Sequence, residues 1–155
     1  MNNIEWIPEM SLGVVIIDEE HKRFLHKFSE LARAPDLEFS TCFLELLEEL
    51  EHNFKQEEDL MEKCQFFQIR EHRQEHGKLL HALHIVTPNV LRGEFDAARE
   101  TLSILPKWFV FHLSKMDMQL AIWLKLKEPE LNCEHDFYPP KRVSVHHSNL
   151  HVSVG

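Results

Sequence analysis

An all-α fold is the class this sequence predicts: an antiparallel up-down-up-down four-helix bundle with an N-terminal arm and a C-terminal tail. Three observations predict it. Apolar residues recur at alternating +3 and +4 steps in four separate stretches, the spacing that puts them on one face of a helix. The breaks between the stretches are short, and short connections pack consecutive helices antiparallel. Glycine, the usual turn residue, occurs only four times in 155 residues.

The first helix is expected over about 18–33. Asp18-Glu19-Glu20 places acids where a helix N-terminus favours them. Ile17, His21, Phe24, Phe28 and Leu31 then step along one face until Ala34-Pro35 ends the run. A second helix is expected over 38–64, with Phe43, Leu46, Leu50, Asn53, Glu57, Leu60 and Cys64 in line. A third is expected over 69–86, carrying Ile69, His72, His76, Leu79 and Leu83, with Thr87-Pro88-Asn89 and Arg92-Gly93 as breaks. The fourth, over 94–126, carries Leu102, Leu105, Phe109, His112, Met116 and Leu120. Pro106 lies inside it and lacks a backbone donor, so a kink or late start is expected there.

Residues 1–126 therefore read as one bundle domain. Its first 17 residues form an irregular arm anchored by Trp6 and Leu12. Residues 127–155 read as an extension or tail, in which RVSV suggests a short strand.

Composition narrows the function. A hydrophobic content of 43% in 155 residues suits one domain with a real core. The net charge of -9 argues against nucleic acid and anionic membranes, because phosphate binding needs clustered Lys and Arg. The three cysteines, Cys42, Cys64 and Cys133, form no CxxC pair and no disulfide framework, which suits a reducing cytoplasm. The start MNNIEWIPEM lacks a basic leader, and LGVVII is too short for a membrane span.

Chemistry enters through the polar residues on the inward lines: His21, Asn53, Glu57, His72, His76 and His112, with Asp117 close behind. Each helix contributes at least one. A buried imidazole or carboxylate without a partner costs several kcal/mol, on the order of 2–7 for an unpaired polar group. A metal resolves the cost by turning each lone pair into a bond. His72 and His76, at i and i+4, share a face and can grip one ion. His112 and Asp117 are five residues apart, about 140° on a regular helix, so both reach inward from the flanks of the stripe. That arrangement suits two ions better than one, with Glu57 and Asp117 as bridges. Imidazole and carboxylate without thiolate favour iron, manganese or zinc, and oxygen chemistry at a carboxylate-bridged pair points to iron. His26, His81 and His84 lie off the lines, and His135, His146, His147 and His151 lie in the tail.

In order and flanking residues, WIPEMSLGVVIIDEEHKRFL, FKQEEDLMEK, REHRQEHGKLL and WFVFHLSKMD resemble the signature stretches of the hemerythrin family, its bacterial members above all, over about residues 5–125. The resemblance implies two oxo- or hydroxo-bridged non-heme irons cycling between Fe2+ and Fe3+, held by five histidines, a bridging glutamate and a bridging aspartate. By position, His72, His76 and His112 would hold one iron and His21 the other, with Glu57 and Asp117 bridging. Ile17, Phe54, Phe109 and Leu113 would line the oxygen pocket, where the Phe109 position usually carries leucine.

One ligand departs from the family pattern. The fifth histidine position, four residues before the bridging glutamate, is Asn53, and a histidine stands one residue early at His52. Either Asn53 coordinates through its amide oxygen, or a π-bulge turns His52 inward. The intact +3/+4 pattern through Asn53 favours the first. An under-ligated iron autoxidises readily and makes a poor oxygen store. The expected function is therefore binding or sensing of dioxygen or redox state rather than catalysis, with a signalling output domain or protein as the kind of partner. A diiron oxidase or peroxidase, a reversible oxygen carrier and a metal-poor interaction module are the alternatives.

Overall fold

In the computed structural model, which describes residues 4–131, every long element is helical. Six helices occur among the described residues: α1 (Val15–Arg33), α2 (Asp36–Lys63), α3 (Ile69–Leu91), α4 (Asp96–Ser103), α5 (Leu105–His112) and α6 (Met118–Leu131). A π-helical turn, Leu113–Asp117, joins α5 to α6. Helices α4 to α6 follow end to end as the fourth rod, so the architecture is the expected four-helix bundle. Each rod packs on the next in sequence. The last closes the ring against α1, where Phe24 and Phe109 meet at a centroid distance of 5.2 Å.

The expected apolar lines are the buried ones. Phe28, Leu31, Phe39, Phe43, Leu46, Leu83, Leu102 and Leu105 are sealed from solvent and fill one half of the bundle. The line on α2 drifts by one residue near its end: Met61 is fully buried, whereas Leu60 is only half-buried. A straight helix turns slightly more slowly than a strict seven-residue repeat, so a long stripe shifts in this way.

The largest shifts of helix boundaries from the expectation are at the start of α1 and the ends of α3 and α6. Helix α1 begins at Val15, so Asp18 sits inside its first turns and is buried. Its carboxylate accepts hydrogen bonds from Ser11 Oγ at 2.6 Å and the Leu12 backbone N–H at 2.8 Å. Asp18 thereby ties down the arm. Gly13, in the left-handed region at φ 72°, lets the arm turn there. Leu12 is buried, and Trp6 is half-buried with the Lys22 ammonium over its ring.

Helix α3 runs through Thr87-Pro88-Asn89 to Leu91. Burial of Val86 and Val90 continues its core line, and the Thr87 hydroxyl bonds the Leu83 carbonyl at 2.9 Å. Packing of the last turn outweighs the missing proline donor. The helix stops instead at Gly93, at φ 78°. On the fourth rod Pro106 stands in the first turn of α5, after a break at Ile104, as its missing donor requires.

Helix α6 continues to Leu131, past the expected domain boundary at 126. The rest of the expected tail, 132–155, with Cys133, the RVSV segment and its four histidines, lies outside the described residues. No helix among the described residues is long and apolar enough to cross a membrane.

Candidate metal centre

One half of the bundle interior is polar. Glu57 from α2, His72 and His76 from α3, and His112 from α5 bring one ligand atom each to within 4.8 Å of one another. All four are buried. The Nε2 atoms of His72 and His76 both lie 3.1 Å from Nε2 of His112. Glu57 Oε2 sits 3.1 Å from His76 Nε2 and 3.5 Å from His72 Nε2. Three imidazole nitrogens and a carboxylate thus face one point.

Asp117 joins this group to the first helix. Its Oδ1 lies 3.1 Å from His72 Nε2 and 3.0 Å from His112 Nε2, while Oδ2 lies 2.9 Å from His21 Nε2. The π-turn makes this geometry. Its i→i+5 ladder, seen where the Met118 N–H bonds the Leu113 carbonyl, brings residues five apart onto one face. His112 and Asp117 therefore both point straight inward. On a regular helix they would have been restricted to the flanks.

The rings are held by what surrounds them. Phe54 stacks flat on His76, centroids 3.8 Å apart, and Trp108 stacks on His112 at 4.5 Å. The far nitrogen of His76, Nδ1, faces Glu58 Oε1 at 3.1 Å, which orients that imidazole. Phe109 meets His21 edge-on at 5.3 Å. Ile17, Phe54, Phe109 and Leu113 are all buried.

The site's charges shift one another strongly. Burial opposes ionisation of Asp117, but the His112 charge and the hydrogen bonds from His112, His21 and His72 hold its carboxyl well below the usual range. Glu57 is likewise lowered: burial and the Asp117 charge oppose, and the His72 and His76 hydrogen bonds prevail. Burial alone would lower His72, yet its bonds to Asp117 and Glu57 push it up to about 10. His21 is raised for the same kind of reason, by Asp117 against burial.

Among the described residues, six further buried polar side-chain atoms have no hydrogen-bond partner: Glu20 Oε1, His21 Nδ1, Asn53 Oδ1, Glu57 Oε1, His72 Nδ1 and His112 Nδ1. All belong to this half of the bundle. Buried polar atoms are normally paired, so such a concentration of orphans fits a cation. The donor set, imidazole and carboxylate oxygen without sulfur, fits iron, manganese or zinc.

Of the histidine alternatives on α2, His52 is exposed and the helix is unbroken α through it, so the bulge that would turn it inward does not form. Asn53 occupies the inward position and is buried. Its Nδ2 donates to the Glu20 carbonyl at 3.5 Å, and its Oδ1 is unpartnered.

Sequence reasoning missed Glu20, Glu58 and the π-turn. Glu20 had a signal: it also lies on the inward line of α1, three residues after Ile17 and four before Phe24. It is only 4% exposed. Burial first, and then the Glu57 carboxylate, push its carboxyl up to about 9, with Asp117 contributing in the same sense.

Comparison with known proteins places the chain. Residues 12–124 match the family described as "Hemerythrin HHE cation binding domain", and the chain belongs to that family. It is 27% identical over 127 residues to the bacteriohemerythrin of Ralstonia nicotianae, covering 82% of this chain and 93% of that protein. It is 26% identical over 121 residues to the bacteriohemerythrin of Pseudomonas aeruginosa, covering 76% and 78%. In three dimensions it resembles the crystal structure of a leucine-to-phenylalanine mutant, with a TM-score of 0.72 and 24% identity over 80% of this chain and 98% of that one. That likeness supports the fold.

Proposed function

We propose that the chain holds two non-heme irons in the hemerythrin manner and works as a sensor of dioxygen or redox state, in a site where Asn53 stands in place of a histidine ligand. The observation that carries this reading is the Asp117 carboxylate. One oxygen faces the imidazoles of His72 and His112, and the other faces His21 on a different helix. A carboxylate turned two ways between separate imidazoles suits a bridge between two ions.

His72, His76 and His112 would hold one iron and His21 the other, with Glu57 and Asp117 shared. Bound there, the iron pair would supply reversible electron exchange with dioxygen. The chain's own residues set the conditions. The Phe54 and Trp108 rings keep two imidazoles from rotating and keep bulk water from that side. Glu58 holds His76 with Nε2 free to bind. Ile17, Phe109 and Leu113 line an apolar approach suited to a small neutral molecule. On the other side, the amide of Asn53 is a weaker donor than imidazole, which leaves that position open to water and anions and the reduced state short-lived.

The test is anaerobic loading with ferrous iron, elemental analysis, and optical spectra in air and after reduction. Two irons per chain, a charge-transfer band in air and its loss on reduction are expected. A plateau at one iron would overturn the two-ion reading. Steady consumption of oxygen or peroxide with a reductant would make the protein an oxidase or peroxidase instead.

A further inference from the structure

The side of the site that lacks a histidine carries an additional acid. Glu20 is on α1, next to His21, and is buried more deeply than it: Glu20 is 4% exposed, whereas the His21 side chain is 12% exposed. Glu20 Oε1 is sealed from solvent without a hydrogen-bond partner. Across the helix interface stands Asn53, also buried, with Oδ1 unpartnered and Nδ2 on the Glu20 backbone carbonyl at 3.5 Å. Two orphaned oxygens from facing helices thus lie on the α1–α2 side of the site, where Glu20 also feels the charges of Glu57 and Asp117. On the His76 side, by contrast, the carboxylates are engaged by ring nitrogens.

A carboxyl in this position makes little sense as packing. A glutamine or leucine of similar size would fill the volume without burying an acid among Glu57 and Asp117. A carboxylate here is useful when a cation is present, since it then gains a bond and its charge is compensated.

We propose that Glu20 is a metal ligand, supplying a carboxylate to the second iron in place of the imidazole missing at Asn53, with the Asn53 amide holding the segment that presents it. This rests on the two-iron reading above. The two ends of the centre then differ in kind: three imidazoles on one ion, and one imidazole with an added anionic oxygen on the other. A hard anionic donor favours the ferric over the ferrous ion. The substitution is therefore not a simple loss of a ligand. It exchanges a neutral donor for a charged one and biases the second iron toward its oxidised state.

The experiment compares wild type, Glu20→Gln, Asn53→His and the double variant, each loaded anaerobically with ferrous iron. Iron per chain and Mössbauer spectra are measured, together with melting curves with and without iron. Wild type is expected to hold two irons in distinct environments. Glu20→Gln, nearly isosteric, should bind the second iron more weakly by on the order of tenfold or more. Its three-histidine signal should be retained and its iron-free melting temperature equal or higher. The double variant should regain the second iron.

Two irons with unchanged spectra in Glu20→Gln would overturn the proposal while leaving the two-iron reading intact. One iron in wild type would overturn both. A lower iron-free melting temperature with full iron content would mean that Glu20 serves packing alone, and would also overturn it.

Discussion

The two faces of the Asp117 carboxylate look onto different environments. On the Oδ1 side, His72, His76 and His112 come from two neighbouring helices, are almost completely buried, and are braced by Phe54, Trp108 and Glu58. On the Oδ2 side His21 is alone among imidazoles, is partly open to solvent, and is accompanied by Glu20 and Asn53 with unpartnered oxygens. The first side is organised before any ion arrives, because aromatic stacking fixes its rings. The second depends on an ion to reconcile its polar groups. The difference teaches that one site can combine a rigid anchor with a less braced, adjustable end.

The largest expected effect comes from breaking the anchor. His112→Ala should abolish iron binding altogether and remove the entire iron-dependent gain in melting temperature, since binding stabilises only the folded state. His21→Ala should retain one iron per chain. Elemental analysis and melting with and without iron separate the two. If the variants lost equal amounts of iron, the two sides would not be independent and the contrast would fail.

A pH experiment on the iron-free protein comes next. His72, raised to about 10, contributes stability that is fully present below 6.5 and lost as pH climbs toward 10. Glu20, raised to about 9, resists ionisation in the fold, so stability also falls as pH rises from 4.5 to about 9. Both groups bind more protons folded than unfolded, so the slopes share a sign. The depressed Asp117 and Glu57 act oppositely, but only where pH drops through the acid range. The iron-free melting temperature should therefore peak in mild acid and fall by at least about 5 °C by pH 9. Glu20→Gln should flatten that fall. A flat profile in wild type would show that the buried charges are balanced by water.

Asn53→His sharpens the comparison by giving the weak side a second imidazole, four residues before Glu57 on the same face. The reduced protein should survive in air several-fold longer, followed by the decay of its optical spectrum. His52→Ala is the paired control. Its side chain is exposed, and surface changes usually fall within about 0.5 kcal/mol, so both stability and decay should match wild type. Loss of the centre in His52→Ala alone would mean that the helix rearranges on metal binding.

The smallest effect is expected from Phe109→Leu. The ring lies edge-on to His21 and packs against Phe24. A near-conservative swap should cost about 1 kcal/mol and open room on the His21 side. Azide added to the oxidised protein should then bind faster. An unchanged rate would place the entry path elsewhere.

Much of this was legible in the residues. The +3/+4 lines predict the bundle and most of its core, because a helix must bury one stripe and the chain has few turn residues. His21, Glu57, His72, His76 and His112 stand out because polar groups on an apolar line need a reason to be there. The same periodicity sets Asn53 inward and His52 outward, and in the fold Asn53 is buried and His52 exposed.

The sequence by itself determined the four rods, their inward faces and the identity of the polar groups on them, since periodicity is a local property of the chain. Only the tertiary structure decided the rest. That His112 and Asp117 both face the centre depends on a π-turn, whose altered ladder forms where packing on both sides holds each residue inward. That α3 passes through Pro88 depends on the burial of Val86 and Val90, which no local rule weighs against proline. That Glu20 is buried where α1 meets Asn53, thirty-three residues away, depends on how α1 and α2 pack. Adjacent positions on a helix can both border the inward face, and which of them is buried is settled by the helix packed against it.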